Sequence, residues 1–287
     1  MTPDISVVLP CFRAEPLARR SVQELRELFR AHPAGSWEVV VVDDGGGDFG
    51  ADWDGEAAVR VVRLPANRGK GAAVAAGMAA ARGRARVYTD VDLPYDPALI
   101  LVCAEYILRR GFHLVVGDRT LPSSSYRQEL GWARRAASGL ASTFIGRLVT
   151  GGFFDTQCGL KALRGDVADR IFPLLKIDRF AFDVELIYVS LIHRLDLKRI
   201  PVRLRQNGTS SVRVLRDCAR AAADVLRIKY HQLRGEYTSR ALHQMVEREF
   251  RAVCHEVPAR PVLFDAADSS GPAAAPAAEP SLRPSWA

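Results

Sequence analysis

No cysteine of this 287-residue chain stands in a Cys-x-x-Cys pair; the five, Cys11, Cys103, Cys158, Cys218 and Cys254, are odd in number and far apart. That spacing excludes a zinc ribbon and a paired redox motif, and a reducing cytoplasm is the expected compartment. Long hydrophobic runs are missing too. The longest nearly apolar helical stretch, ALILVCAEYIL at 98 to 108, carries Glu105 and is about half of what a bilayer requires, so no transmembrane helix is expected. The opening residues MTPDISVVLPCF lack a basic n-region and a cleavage site, so no secretion is expected. Internal repeats, aromatic stacking platforms and nucleic-acid motifs are absent, and nucleic acid is not an expected partner.

What is present is ordinary globular composition, 48% hydrophobic and 25% charged, in a length that suits one large domain with terminal additions. The net charge is +7. Residues 256 to 287 hold four acids against two arginines, so the remaining body carries +9 and suits an anionic partner.

Short β-branched runs alternate with amphipathic helical segments, which predicts an α/β fold with a mostly parallel central sheet covered on both faces. Strands are expected at 5 to 10, 37 to 44, 59 to 65, 86 to 90 and 113 to 118, with helices at about 16 to 31, 69 to 82 and 97 to 110 between them. After residue 120 the rhythm changes to helices at about 127 to 148, 164 to 174 and 181 to 194, with one more strand at 198 to 204. The expected organisation is one α/β domain over 1 to 211, divided at 118 into a first half of ligand-collecting strand ends and a more helical second half over 119 to 211. Two amphipathic helices follow over 212 to 255, then an Ala/Pro-rich, disordered tail over 256 to 287 that contains six of the sixteen prolines.

Three motifs fall at strand ends, where ligands of open α/β sheets collect. In VVVVDDGGGD, Asp43 and Asp44 offer acceptors to a nucleobase or ribose, although a plain Asp-Gly turn fits the same residues. In PANRGKGAAVAAGM, Arg68 and Lys70 stand among glycines where a helix begins, so two cations and helix-end amides can meet a diphosphate. The spacing is neither a Walker A loop nor Gly-x-Gly-x-x-Gly, which argues against ATPase and dehydrogenase readings. In YTDVDLPYDP, Asp90-Val91-Asp92 reads as alternate side chains leaving a strand end on one side, a pair suited to Mg²⁺ or Mn²⁺ that also takes substrate phosphates. A solvated acidic loop is the alternative.

The segments ISVVLPCF, VVVVDDGGGD, NRGKGAAVAAGM, TDVDLPYDP, DTQCGLKAL and RFAFDVELIY occur in the order and spacing of inverting family 2 glycosyltransferases with the GT-A fold. The chain most resembles the polyprenyl (dolichyl) phosphate glucosyltransferases among them, over roughly residues 4 to 215. The resemblance implies a nucleotide-sugar site of Pro10, Glu15, Asp43, Asp44, Arg68, Lys70, Asp90, Val91 and Arg205, with Asp90 and Asp92 as the DxD metal pair. It implies an acceptor side of Arg119, Arg134, Ser138, Gln157 and Lys161, with Asp155, Asp183 and Glu185 joining Asp92 as catalytic candidates. Two departures stand out: glycine replaces the usual serine after the acidic pair, and Glu15 lies one position late.

The implied reaction moves a hexose, glucose from UDP-glucose, to a polyprenyl phosphate at the cytoplasmic membrane surface. A phosphate acceptor is already anionic and requires no strong base, whereas a hydroxyl would require Asp155, Asp183 or Glu185 to take its proton. GDP-mannose as donor, a soluble acceptor, or a non-catalytic nucleotide-sugar-binding scaffold remain alternatives. Over 212 to 234, Arg213, Arg216, Arg220, Arg227, His231 and Arg234 recur as one stripe, which suits an anionic membrane surface or a solvated face.

Overall fold

The computed structural model describes residues 2–32, 35–124, 155–179, 181–205 and 214–256, with side chains of the last stretch described over 223–252. The helix expected at 127 to 148, with Arg134 and Ser138, lies outside the described residues, as do residues 257–287 and the side chains of Arg213, Arg216 and Arg220.

Seven strands form one sheet: β1 (Ile5–Cys11), β2 (Trp37–Asp43), β3 (Val59–Arg63), β4 (Ala85–Tyr88), β5 (Leu114–Asp118), β6 (Lys161–Arg164) and β7 (Leu197–Pro201). Their order is β3-β2-β1-β4-β6-β5-β7. All pair in parallel except β6, which runs antiparallel between β4 and β5. The described helices are α1 (Glu15–Ala31), α2 (Lys70–Ala80), α3 (Ala98–Leu108), α4 (Gly165–Ile171), α5 (Phe182–Ile192), α6 (Val214–Leu233) and α7 (Arg240–Glu256). Residues 1–247 and 248–287 form separate compact units, and only the last turns of α7 are described in the second.

The valine-rich strands follow from a sheet buried on both faces. Val8, Val40 and Val42 enter one core with residues of α2, α4 and α5, whereas Val7, Leu9, Val39 and Val41 enter the other with residues of α1 and α3. Period-two alternation thus sends successive valines of one strand to opposite layers. Among the described residues, no helix is long and apolar enough to cross a membrane.

β6 is the one described strand that the sequence pattern misses. Four residues, KALR, are too few to display alternation, and the expected helix at 164 begins directly after them. Its direction matters for the site. Being antiparallel, β6 starts at the edge where β4 and β5 end, so residues 155 to 161 arrive beside the acidic motif.

Candidate active site

The chain runs from β1 to β2 and β3 on one side, then crosses to β4 on the other, so the parallel order reverses between β1 and β4. Loops diverge at such a switch point and leave a crevice beyond the carboxyl ends of the strands. Asp43 and Asp44 close β2 at this edge, and Asp90 and Asp92 follow β4.

Both acids of the first pair are buried and bind backbone amides. Asp43 accepts from Gly46 at 2.6 Å and Gly47 at 3.0 Å, which folds the glycine loop back on the strand end. Asp44 accepts from Arg68 and Gly69, each at 2.8 Å, and so ties the β3–α2 connection to β2. Gly69 is at φ +107, and a Cβ there would lie 2.8 Å from the Asp178 carbonyl, a position that only glycine fills without strain. The same carbonyl accepts from Ala72 at 3.0 Å. Two amides at this helix start, those of Gly69 and Ala72, are therefore engaged within the protein.

The second pair is arranged differently. β4 ends at Tyr88, so Asp90 and Asp92 sit in a turn and not on an alternating strand; Leu93, at φ +44, donates to the Asp90 carbonyl at 3.0 Å. Ser21 of α1 donates to the Val91 carbonyl and pins the turn from below. Lys70 Nζ lies 2.5 Å from Asp90 Oδ1, with 15% and 37% of the two side chains exposed. Burial works against the Lys70 charge, but Asp90 and then Asp183 outweigh it, and its pKa is raised. Asp92 is exposed at the rim, yet its crowded surroundings first, and Asp90 second, raise its carboxyl above the usual range. A carboxylate whose charge is disfavoured beside a second acid is a natural cation site. Among the described residues no cluster of three or more His, Cys, Asp and Glu is suited to a metal. The pair nevertheless fits a hard divalent ion that keeps water and takes its other ligands from substrate phosphate.

On the far side of β4 the charges are consumed internally. Arg119 donates to Asp155 from its backbone at 2.6 Å and its guanidinium at 2.7 to 3.2 Å. Lys161 has no exposed surface; its ammonium donates to Asp183 Oδ1 at 2.6 Å and to the Cys158 carbonyl at 2.8 Å, and Tyr88 donates to the same Asp183 oxygen at 2.6 Å. Glu185 is also fully buried. It accepts from the backbone of Lys176 at 2.8 Å and Ile177 at 2.9 Å, and from the Tyr237 hydroxyl at 2.6 Å. Burial raises its pKa, against the opposing pull of those three donors.

The remaining expected residues spread around this edge. Gln157 is exposed and Pro10 half-buried opposite Val42. Glu15 receives Trp53 at 2.8 Å and Arg19 at 2.6 to 2.9 Å, while Arg68 reaches Asp178 at 3.3 Å. Arg205 pairs with Glu24 of α1, and both line an open groove of about 700 Å³ with Asp96 and Arg203; neither Lys70, Asp90 nor Asp92 borders it.

A family model described as "Glycosyl transferase family 2" matches residues 6–172, a span that holds Asp43, Asp44, Asp90, Asp92, Asp155 and Lys161. The chain belongs to glycosyl transferase family 2. This transferase is 27% identical over 246 residues to the dolichyl-phosphate beta-glucosyltransferase of Dictyostelium discoideum, covering 80% of the chain and 75% of the relative. It is 26% identical over 273 residues to the human protein of that name, covering 82% and 78%. In fold it is similar to glucosyl-3-phosphoglycerate synthase from Mycobacterium tuberculosis, solved with Mn²⁺, UDP and glucosyl-3-phosphoglycerate: TM-score 0.57, 20% identity, 79% and 80% coverage. The sheet is that of the GT-A glycosyltransferases.

Three residues of the transferase's site escape a reading of its motifs. A Cβ at Gly159 would lie 2.1 Å from Asp90 Oδ2, so the missing side chain is what admits the Asp90 carboxylate. Tyr88 and Tyr237 supply hydroxyls to Asp183 and Glu185. Gly159 lies between the motif cysteine and Lys161, and only the antiparallel course of β6, invisible in the sequence, brings it beneath Asp90.

Proposed function

We propose that this transferase moves a hexose, glucose from UDP-glucose, onto a polyprenyl phosphate at the cytoplasmic face of a membrane, by a single inverting displacement that depends on Mg²⁺ or Mn²⁺. The acceptor class rests on one observation, the state of three buried carboxylates. Asp155 is bound by Arg119, Asp183 by Lys161 and Tyr88, and Glu185 by Tyr237 and two amides. A hydroxyl acceptor requires a carboxylate placed to remove its proton, and each of these is occupied by donors. A phosphate oxygen arrives ionised and requires none.

The names of the relatives, which specify glucose and dolichyl phosphate, support the same choice. When bound by Asp90 and Asp92, a divalent ion supplies positive charge to the departing diphosphate. Lys70 holds Asp90 in place and adds its own charge beside it. Asp43 and Asp44 hold the loops that meet the nucleoside, next to Pro10, Val91 and Glu15. Arg68 faces the diphosphate, and Arg205 joins it by exchanging an exposed pair with Glu24 that contributes little. Arg119 and Gln157 belong to the acceptor side, to which the family resemblance also assigns Arg134 and Ser138.

Purified protein incubated with Mn²⁺ or Mg²⁺, radiolabelled nucleotide sugars and polyprenyl phosphate tests the reading. Organic-extractable label from UDP-glucose, abolished by a chelator, is expected. Label that remains in water and requires a soluble phosphorylated acceptor would replace the lipid with that acceptor, and absence of transfer from every nucleotide sugar would refute the reading.

A further inference from the structure

Over the described part of α6, Val225 and Ile228 are buried against the domain, whereas Leu226, Tyr230 and Leu233 are 70%, 53% and 87% exposed. At 100° per residue these three fall within an arc of about 60° on the helix surface. Arg227 and Arg234 each follow one residue after a leucine of the stripe and border it on one side, with 66% and 59% of their side chains exposed. Lys229 lies on the other side, half-buried, with its ammonium donating to the Tyr188 hydroxyl at 3.1 Å and 4.7 Å from that ring centre. Arg234 reaches back to donate to the Tyr230 hydroxyl at 2.8 Å, with its guanidinium 5.6 Å from the ring centre.

We propose that this face of α6 docks the transferase on an anionic phospholipid bilayer. Apolar side chains in line, with arginines along one margin, match the boundary where acyl chains meet phosphates: leucines enter the apolar layer while the longer arginines reach back to the headgroups. Each arginine has an acid beside it, in partly exposed pairs of the kind that contribute little and can open to a phosphate. Asp224 pairs with Arg227 at 3.8 Å, and Glu236 with Arg234 at 3.0 Å and His231 at 2.8 Å. A second copy of the chain is a poorer occupant, because three side chains of roughly 150–200 Å² each fall short of the about 800 Å² per partner that a stable dimer takes. The proposal rests on the lipid-acceptor reading for its purpose, to bring the site to its substrate, and on the helix for its geometry.

Co-sedimentation of the full chain with vesicles tests it. Binding to phosphatidylcholine–phosphatidylglycerol vesicles is expected, with weaker binding to phosphatidylcholine alone. The double substitution Leu226→Ser/Leu233→Ser should lower the partition about tenfold or more, and Arg227→Gln/Arg234→Gln should lower it and flatten its salt dependence. Neither changes turnover with a detergent-dispersed acceptor. Wild-type protein left in the supernatant with both lipids would overturn the proposal, as would a leucine variant that sediments like wild type. A concentration-dependent dimer in solution, abolished by the leucine substitutions, would assign the face to a second copy instead. Vesicle binding without organic-extractable product would refute the lipid acceptor and leave the docking face standing.

Discussion

The two sides of strand β4 use carboxylates in opposite ways. Toward β1 and β2, Asp43 and Asp44 bind only backbone amides, and Asp90 and Asp92 lie in a turn at the rim with one lysine between them and the core. Toward β6, Asp155, Asp183 and Glu185 are each 4% exposed or less and each accepts from at least one side-chain donor, with backbone amides completing Asp155 and Glu185. On the first side the Asp90–Asp92 turn holds two carboxylates against one lysine at an accessible rim, where a ligand can answer the remaining charge. The second spends its charge on holding residues 155 to 185 against the sheet. Burial thus singles out Asp90 and Asp92 as the acids open to a ligand, whereas Asp43 and Asp44 are as buried as Asp155, Asp183 and Glu185 and hold loops through backbone amides.

The division can be broken from either side. Lys161→Met should have the largest effect: it leaves the Asp183 charge buried without its cation and lowers stability by about 3–5 kcal/mol in chemical denaturation, while Lys161→Met/Asp183→Leu recovers much of that loss. Gly159→Ala acts across the boundary, since its Cβ would displace the Asp90 carboxylate from Lys70; turnover should fall about 100-fold with a far smaller change in melting temperature. Tyr237→Phe removes one donor from Glu185 and should cost about 1.5 kcal/mol by denaturation, confined to the scaffold side. Removing the exposed pair, Arg205→Ala/Glu24→Ala, should change stability by no more than about 0.5 kcal/mol, and any effect should lie in donor KM.

Much of the fold was legible because the strands β1 to β5 carry valine runs bounded by helices with clear apolar faces. Asp43, Asp44, Asp90 and Asp92 were legible for a related reason: acids directly after a buried strand have few places to go except the carboxyl edge. What the sequence hid was direction and depth. The four residues of β6 show no periodicity, so the reversal that carries Gly159 under Asp90 left no trace. Lys161 reads as a polar residue fit for an acceptor site, yet it has no exposed surface, because its partner Asp183 lies 22 positions later on another element. Glu185 reads as a helix-start acid, but its carboxylate accepts from two loop amides and from the Tyr237 hydroxyl, 52 positions later. Long-range pairing of this kind has no local signature.

The central claim is that Asp90 and Asp92, together with a divalent ion, hold the diphosphate of the donor. Calorimetric titration of UDP-glucose, with and without Mn²⁺, into wild-type protein and into Asp92→Asn tests it most directly. Mn²⁺ should tighten binding to wild type by about tenfold or more, near 1.4 kcal/mol, and should do nothing for the variant, whose thermal stability stays that of the parent. Equal affinity with and without the ion, or an Asp92→Asn protein that responds to Mn²⁺ as wild type does, would contradict the account.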